Sequence, residues 1–328
     1  MERIVVRVPA KITLFGEHAV VYGYPAIAAS IPRYVIIEAV PSERNRVLFL
    51  GSDIRVPIRS ADIEGLGAEV RRESVERVVS YVARALAVCS EQVGGLDGGL
   101  ELRIESELPP SIGLGTSAAV SAGVLAACMA MHGVEIEASE LAKLAWRVER
   151  EVQGAASPMD TATVCLGGVR LIDPKSLRHE LLRESIDALV GYVPRAGTTA
   201  SLVAYVKRLR EAAPEVVEDV MKAIARVVEM GVEAVRRGDL ETLGLLANVN
   251  HGLLHALGVV SEDSDRVIHA LRKAGAYGAK MSGAGGGGAF IAFSRPDALP
   301  ILAEVAKAMG ARVVSLKAGG GGIVVERR

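Results

Sequence analysis

The sequence predicts an α+β protein of two domains, and three observations carry that reading. Short runs of branched residues, bounded by glycine, proline or charge, fill most of the first hundred positions. Apolar residues then recur at helical spacing over residues 74–88, and again along most of the chain after residue 201. Between these blocks lie two glycine-rich segments, at residues 109–119 and 280–289. Strands followed by helices within one block is the pattern of an α+β domain.

The elements follow in order. Residues 3–8, 12–15, 26–31, 35–40 and 47–50 read as strands. Residues 74–88 read as a helix and 100–104 as another strand. Helices are expected at 118–131 and 138–152, the second with Arg and Glu on its outer face. Residues 171–174 look like the exit from this domain, dividing the chain into 1–170 and 171–328. The second part predicts helices at 202–212, 216–237, 241–257 and 264–274. A strand, a glycine-rich loop and strand 289–293 come next, then helix 300–309 and strands 312–317 and 322–326. The glycine run 319–322 reads as a tight hairpin, or as a lining of the cleft.

Composition narrows the classes. The 328 residues suffice for two cores, and half of them are hydrophobic. A net charge of −1 offers no broad basic field for nucleic acid. No apolar run approaches the length that spans a bilayer, and Arg3 to Val8 opens without signal-peptide features. Cytoplasmic placement is therefore expected. Cys89, Cys128 and Cys165 are widely spaced in apolar surroundings, so they read as reduced, buried thiols with no zinc role. The only amides are Asn45, Asn248, Asn250, Gln92 and Gln153, a depletion that suits a thermophile or reflects genomic base composition.

The segment Pro109-Pro110-Ser111-Ile112-Gly113-Leu114-Gly115-Thr116-Ser117-Ala118-Ala119 opens directly into an alanine-rich helical run. A helix N-terminus carries free N–H groups and the positive end of its dipole. Gly113 and Gly115 let backbone approach an anion closely, and Thr116 and Ser117 add hydroxyls, so the segment describes a phosphate cradle. It lacks the Gly-Lys-Ser/Thr of a Walker loop and the third glycine of a dinucleotide fingerprint. The plain alternative is an N-capped glycine turn.

Two more segments add weight. Val8-Pro9-Ala10-Lys11-Ile12-Thr13-Leu14-Phe15-Gly16-Glu17-His18 sets three polar groups in an apolar, strand-like region. Lys280-Met281-Ser282-Gly283-Ala284-Gly285-Gly286-Gly287-Gly288 is nearly bare of side chains, which permits close backbone approach. In this order the three segments resemble the GHMP kinase family, over about residues 5–289. That resemblance implies a ribosomal-protein-S5-like N-terminal domain and a ferredoxin-like C-terminal domain. It also implies ATP as phosphoryl donor with Mg²⁺.

Within the family the chain resembles the archaeal-like mevalonate kinase branch. Glu149 and Asp160 keep that branch's spacing across a small-residue loop, and Gly16-Glu17-His18 is followed by Ala19-Val20-Val21. By this resemblance Asp160 takes or orients the acceptor proton and Lys11 supplies a cation. Glu149 and Ser117 hold Mg²⁺. Pro110, Ser111, Gly113, Leu114, Gly115, Thr116, Ser117, Ala118 and Gly285 cradle ATP. Glu17, His18 and Thr199 line the mevalonate pocket, with a cationic or hydrogen-bonding His18 suited to the substrate carboxylate. Taken alone, Glu149 reads as a solvated helix charge, His18 as a core histidine, and Asp160 as a turn former at the mouth of an apolar strand. Another GHMP small-alcohol kinase, acting on phosphomevalonate, homoserine or a sugar, is the alternative; a silent ligand-binding relative is the other. A homodimer is compatible with either enzyme.

Overall fold

The computed structural model describes residues 3–49, 55–57, 73–96, 98–154, 156–195 and 198–328. It opens on β1 (Ile4–Phe15) and β2 (Ala26–Ser42), two long antiparallel strands where four shorter ones are expected. Pro9 cannot donate to the ladder, and the register shifts between Pro9 and Ala10 instead of breaking. β5 (Gly99–Ser106) pairs with the far side of β2, and β3 (Arg46–Phe49) lies parallel to β5 with β4 (Arg55–Pro57) beside it.

Helices α1 (Glu73–Val93), α2 (Thr116–Met131) and α3 (Ala138–Gln153) cover one face of this sheet. Their packing explains their composition. α2 is buried from Ala118 to Ala130, so it is apolar on all sides and rich in alanine. Gly123 lies against Ile37 and Val8, where a Cβ would come within 2.6 Å of the isoleucine side chain. Cys89 on α1 and Cys128 on α2 are joined in a disulfide, and only Cys165 is free. The expectation of three reduced thiols is corrected here. Cysteine spacing in the sequence does not reveal that two packed helices bring residues 39 apart to a Cα separation of 6.3 Å. His132 completes a Cys–Cys–His group in space that is invisible as a motif, but both sulfurs are already bonded to each other.

The sequence after Asp160 also departs from expectation. Residues Met159–Leu166 form helix α4, not a strand, with Pro158 at its N-cap and Asp160 in its first turn. β6 (Val169–Asp173) pairs with β2, and β7 (Arg178–Arg183) pairs with β6. The change of sheet thus falls between β7 and β8 (Ser185–Val193), later than the division expected at residue 170.

The second sheet runs β11-β8-β10-β9, with β9 (Gly278–Met281), β10 (Gly288–Phe293) and β11 (Arg312–Gly319) all antiparallel to their neighbours. It is served by α5 (Thr199–Ala212), α6 (Pro214–Arg237), α7 (Leu240–Ala256), α8 (Glu262–Lys273) and α9 (Leu299–Ala308). These helices match the expected ones to within a few residues. Gly319–Gly322 is not a hairpin: it carries the chain from β11 across to β12 (Val324–Arg327), which pairs with β1 in the first sheet. On the way it packs against Gly167 and Gly168, with the Gly168 N–H donating to Gly320 O at 2.7 Å.

The two sheets share a core. Ile12 and Leu14 of β1, Ile27 and Ile31 of β2, Val190 of β8 and Ile291 and Phe293 of β10 all belong to one buried cluster. Phe15 stacks on Phe293 across it, ring centroids 6.5 Å apart. Burial of this size is the main stabilising term, at about 25 cal/mol per Å² of apolar surface. Among the described residues, no helix is long and apolar enough to cross a membrane.

α7 also finishes β9, the strand at one end of the second sheet. Asn248 accepts from the Ala279 N–H at 3.2 Å and donates to Tyr277 O at 3.1 Å. His251 Nδ1 accepts from the Met281 N–H at 3.4 Å, and Arg272 of α8 donates to Ala279 O at 2.7 Å.

Candidate active site

The three segments singled out in the sequence meet where the sheets join. The Lys11 N–H donates to Leu114 O at 3.0 Å, tying β1 to the loop before α2. The Ala289 N–H donates to Ile112 O at 3.0 Å, tying the same loop to β10. Ser282 Oγ accepts from the Thr13 N–H at 3.0 Å and donates to Thr13 O at 2.9 Å. A side chain thus completes the backbone pairing between β1 and the β9–β10 loop.

Two glycines are fixed by what they touch. Gly115 caps α2 at φ 75°, and a Cβ there would lie 2.6 Å from Lys11 Cγ. The lysine can therefore be seated only under a glycine. Gly285, at φ 93°, would set a Cβ 2.1 Å from Val259 O. Leu114 and Ala118 are buried beneath the loop, Thr116 and Ser117 are half-buried, and Pro110 and Ser111 stand exposed at its rim.

Lys11 is buried, and its Nζ lies 2.8 Å from Asp160 Oδ1 and 3.3 Å from Thr13 Oγ1. Asp160 keeps 28 % of its side-chain surface exposed, so the pair opens on the cleft. Glu149 arrives from α3, only 3 % exposed and close enough to Ser117 for the hydroxyl to favour its charged form. Burial, then the neighbouring Asp160 charge, raises its pKa to about 7. Gln153 Nε2 donates to Glu149 Oε1 at 3.2 Å, one turn further along the helix. Lys11, Ser117, Glu149 and Asp160 thus lie in one cluster, supplied by one strand and three helices.

The wall beside this cluster is the turn after β1. Gly16 has φ 103°, and a Cβ there would lie 2.6 Å from Ala26. His18 has φ 60° and ψ −47°, an uncommon conformation for a residue with a side chain. Its Nε2–H donates to Ala284 O at 3.1 Å, and burial lowers its pKa to about 4. The hydrogen-bonding form of His18 is the one present near neutral pH; the cationic form is not. Glu17 does not offer a free carboxylate to the cleft. It is 2 % exposed, and both its oxygens are held, by Lys280 and by Asn250. Burial dominates the Glu17 pKa and moves it upward.

Thr199 is exposed at the first position of α5 and is reached by Arg195 Nη1 at 3.2 Å. Arg195 also donates to Gly285 O at 3.0 Å and Ser111 O at 3.1 Å, joining the rims of the two glycine-rich loops. Sequence reasoning assigned no role to Arg195, Asn250 or Lys280. A signal existed for Lys280: it is a solitary charge in an apolar and glycine-rich stretch, as Lys11 is.

The profile of the GHMP kinases N terminal domain matches residues 80–168, and that of the GHMP kinases C terminal domain matches residues 232–312. A mevalonate kinase of Thermococcus gammatolerans is 37 % identical over 95 % of this chain and 96 % of its own. The chain belongs to the GHMP kinases. A mevalonate kinase of Saccharolobus solfataricus is 32 % identical over 94 % of each chain. The crystal structure of the Methanococcus jannaschii mevalonate kinase superposes on this GHMP kinase with a TM-score of 0.79 at 26 % identity, covering 96 % of this chain and 98 % of that one. The resemblance drawn from the three motifs therefore holds at the level of the family and of its architecture.

Proposed function

We propose that this GHMP kinase is a mevalonate kinase: it transfers the terminal phosphoryl group of ATP to the 5-hydroxyl of mevalonate. The Lys11–Asp160 pair, open to the cleft beside Ser117 and Glu149, is the observation that carries the reading. The full-length similarity to proteins named mevalonate kinase supports the choice of acceptor.

In this reading the phosphates of ATP lie over residues 113–117, against backbone N–H groups at the start of α2. Asp160 accepts the proton of the acceptor hydroxyl as that oxygen attacks the terminal phosphorus and the bond from that phosphorus to the bridging oxygen breaks, releasing ADP. Lys11, fixed beneath Gly115, stabilises the charge spread over the migrating phosphoryl group. His18 stands in the acceptor wall as a neutral hydrogen-bonding group. ATP as co-substrate supports a cytoplasmic enzyme.

The residues present fit a hard divalent cation. Glu149 is a buried carboxylate beside a second carboxylate, and a positive charge would offset the burial and the Asp160 repulsion that raise its pKa. Glu149 and Ser117 would hold Mg²⁺, with Asp160 nearby. When bound, Mg²⁺ supplies charge neutralisation on the phosphate oxygens.

The deciding experiment measures ADP release with mevalonate, phosphomevalonate, homoserine and galactose in parallel. Turnover is expected with mevalonate. Preference for any other alcohol, or turnover with none, overturns the assignment.

A further inference from the structure

Apart from the pair that faces the cleft, this site contains a second lysine–carboxylate pair that is wholly enclosed. Lys280 of β9 and Glu17 of the turn after β1 meet with side-chain exposures of 0 % and 1 %. Asn250 of α7 donates to the other Glu17 oxygen at 3.3 Å and is itself fully buried. Its own Oδ1 has no hydrogen-bond partner among the described residues. The amide thus accepts the cost of burial for a single bond to Glu17.

We infer that Lys280 and Asn250 are positioning residues for acceptor recognition. By gripping the Glu17 carboxylate they fix the Gly16–Glu17–His18 turn, and so the placement of His18 at the acceptor wall. This rests on the reading of that wall given above. Three observations support it. The clamp spans the two sheets, since Glu17 follows β1 of the first and Lys280 lies in β9 of the second. The turn it grips holds His18 at positive φ, a conformation that persists only when its surroundings over-determine it. Backbone bonds from the Ala19 N–H to Glu17 O and from the Val20 N–H to Gly16 O close the turn on itself, and the side-chain bond that next ties it to the second sheet's loop is that of His18 to Ala284, four residues beyond Lys280.

A buried ion pair is a poor choice for stability alone, because well-packed apolar residues serve as well or better. What it provides is a directional grip. Lys11 lies close enough to be felt by both members of the clamp, favouring the charged carboxylate of Glu17 and opposing the charged ammonium of Lys280.

The test separates positioning from stability with three variants, assayed well below their melting temperatures. Lys280→Met is expected to raise the KM for mevalonate roughly tenfold or more, while the KM for ATP moves less than about twofold. Asn250→Leu, which leaves the ion pair in place, is expected to give the same split at about threefold. The double variant Glu17→Gln/Lys280→Met removes both charges, so it is expected to regain thermal stability over the single Lys280 variant without regaining the mevalonate KM. Recovery of both together, or equal damage to both substrates' constants, overturns the proposal. Hydrogen–deuterium exchange on Asn250→Leu gives a readout that needs no substrate. Faster exchange is expected for residues 16–22 and unchanged exchange for residues 113–118. Unchanged exchange at 16–22 overturns the clamp. A wild-type enzyme inactive on mevalonate overturns the assigned acceptor alone, and the exchange result then decides the clamp.

Discussion

The two lysine–carboxylate pairs of this protein are chemically alike and physically opposite. Lys11 and Asp160 lie 2.8 Å apart with the carboxylate 28 % exposed, whereas Lys280 and Glu17 are sealed from solvent. An open pair can exchange its partner for a substrate oxygen at modest cost, because water and ligand compete on similar terms. A sealed pair cannot, because separating its members strands a charge in a medium that solvates it poorly. The same two functional groups therefore serve chemistry in one place and shape in the other, and exposure decides which.

The largest expected effect tests the open pair. Asp160→Asn should lower turnover by about two to four orders of magnitude, the range for a group that handles a proton in the transition state. Its melting temperature should fall only modestly, since the asparagine amide would keep an oxygen beside the buried Lys11 in a site that reaches solvent. Near-normal turnover would break the contrast by removing Asp160 from the chemistry. Next come the neighbours of this pair. Glu149→Gln should raise the Mg²⁺ needed for half-maximal rate by at least roughly tenfold, the lower bound for groups that merely support a metal ligand. Ser117→Ala should do so more mildly, because a hydroxyl is the weaker oxygen donor. Magnesium titrations that overlay the parent's would remove both from the metal site.

His18 sharpens the acceptor side. His18→Ala should raise the KM for mevalonate roughly fivefold, the worth of one neutral hydrogen bond, here from a substrate hydroxyl to Nδ1 of a ring whose Nε2–H is held by Ala284. Because its pKa lies at about 4, His18 is neutral throughout pH 6–8, and the KM for mevalonate should not follow a titration near pH 6.5. A KM that climbs as pH rises through 6.5 would show a cationic histidine instead. The smallest effect is on stability. His18 and His251 both have folded pKa values of about 4, below the 6.5 of the unfolded chain. At these two sites the unfolded state binds more protons, so their contribution to stability is intact above pH 6.5 and declines as pH falls toward 4, while Glu149, with its pKa raised to about 7, works in the opposite sense. Thermal melts across that window check the sign, and His18→Asn should flatten the slope.

Much of the open pair's surroundings could be read directly. Gly113, Gly115 and Ser117 sit in a stretch whose residue types suit anion binding, Lys11, Glu149 and Asp160 took their roles from the resemblance to the GHMP kinases, and the fold gathers Lys11, Ser117, Glu149 and Asp160 into one cluster. The sealed pair was legible only in half. Glu17 stood in a motif, but Lys280 and Asn250 reach it from 263 and 233 positions away, and no local pattern encodes such a meeting. Helix α4 was misread because its branched Thr and Val residues favour a strand, while packing against α3 and α2 makes it helical. The Cys89–Cys128 bond escaped for the same reason as Lys280: it depends on two helices being adjacent. The pairing of β7 with β6, which carries the first sheet on to Arg183, likewise has no local signal in the sequence.

The finish on β9 has a consequence for encounters between copies of the chain. An outermost strand offers unpaired backbone groups on which another chain can template itself, and heat makes such encounters frequent. Here Asn248, His251 and Arg272 occupy those groups, so β9 presents side chains where a neighbour would seek hydrogen bonds. Asn248, at this spot, is one of only five amide residues in the whole sequence. Its removal should be felt first as clouding of a hot, concentrated solution, before any change in rate.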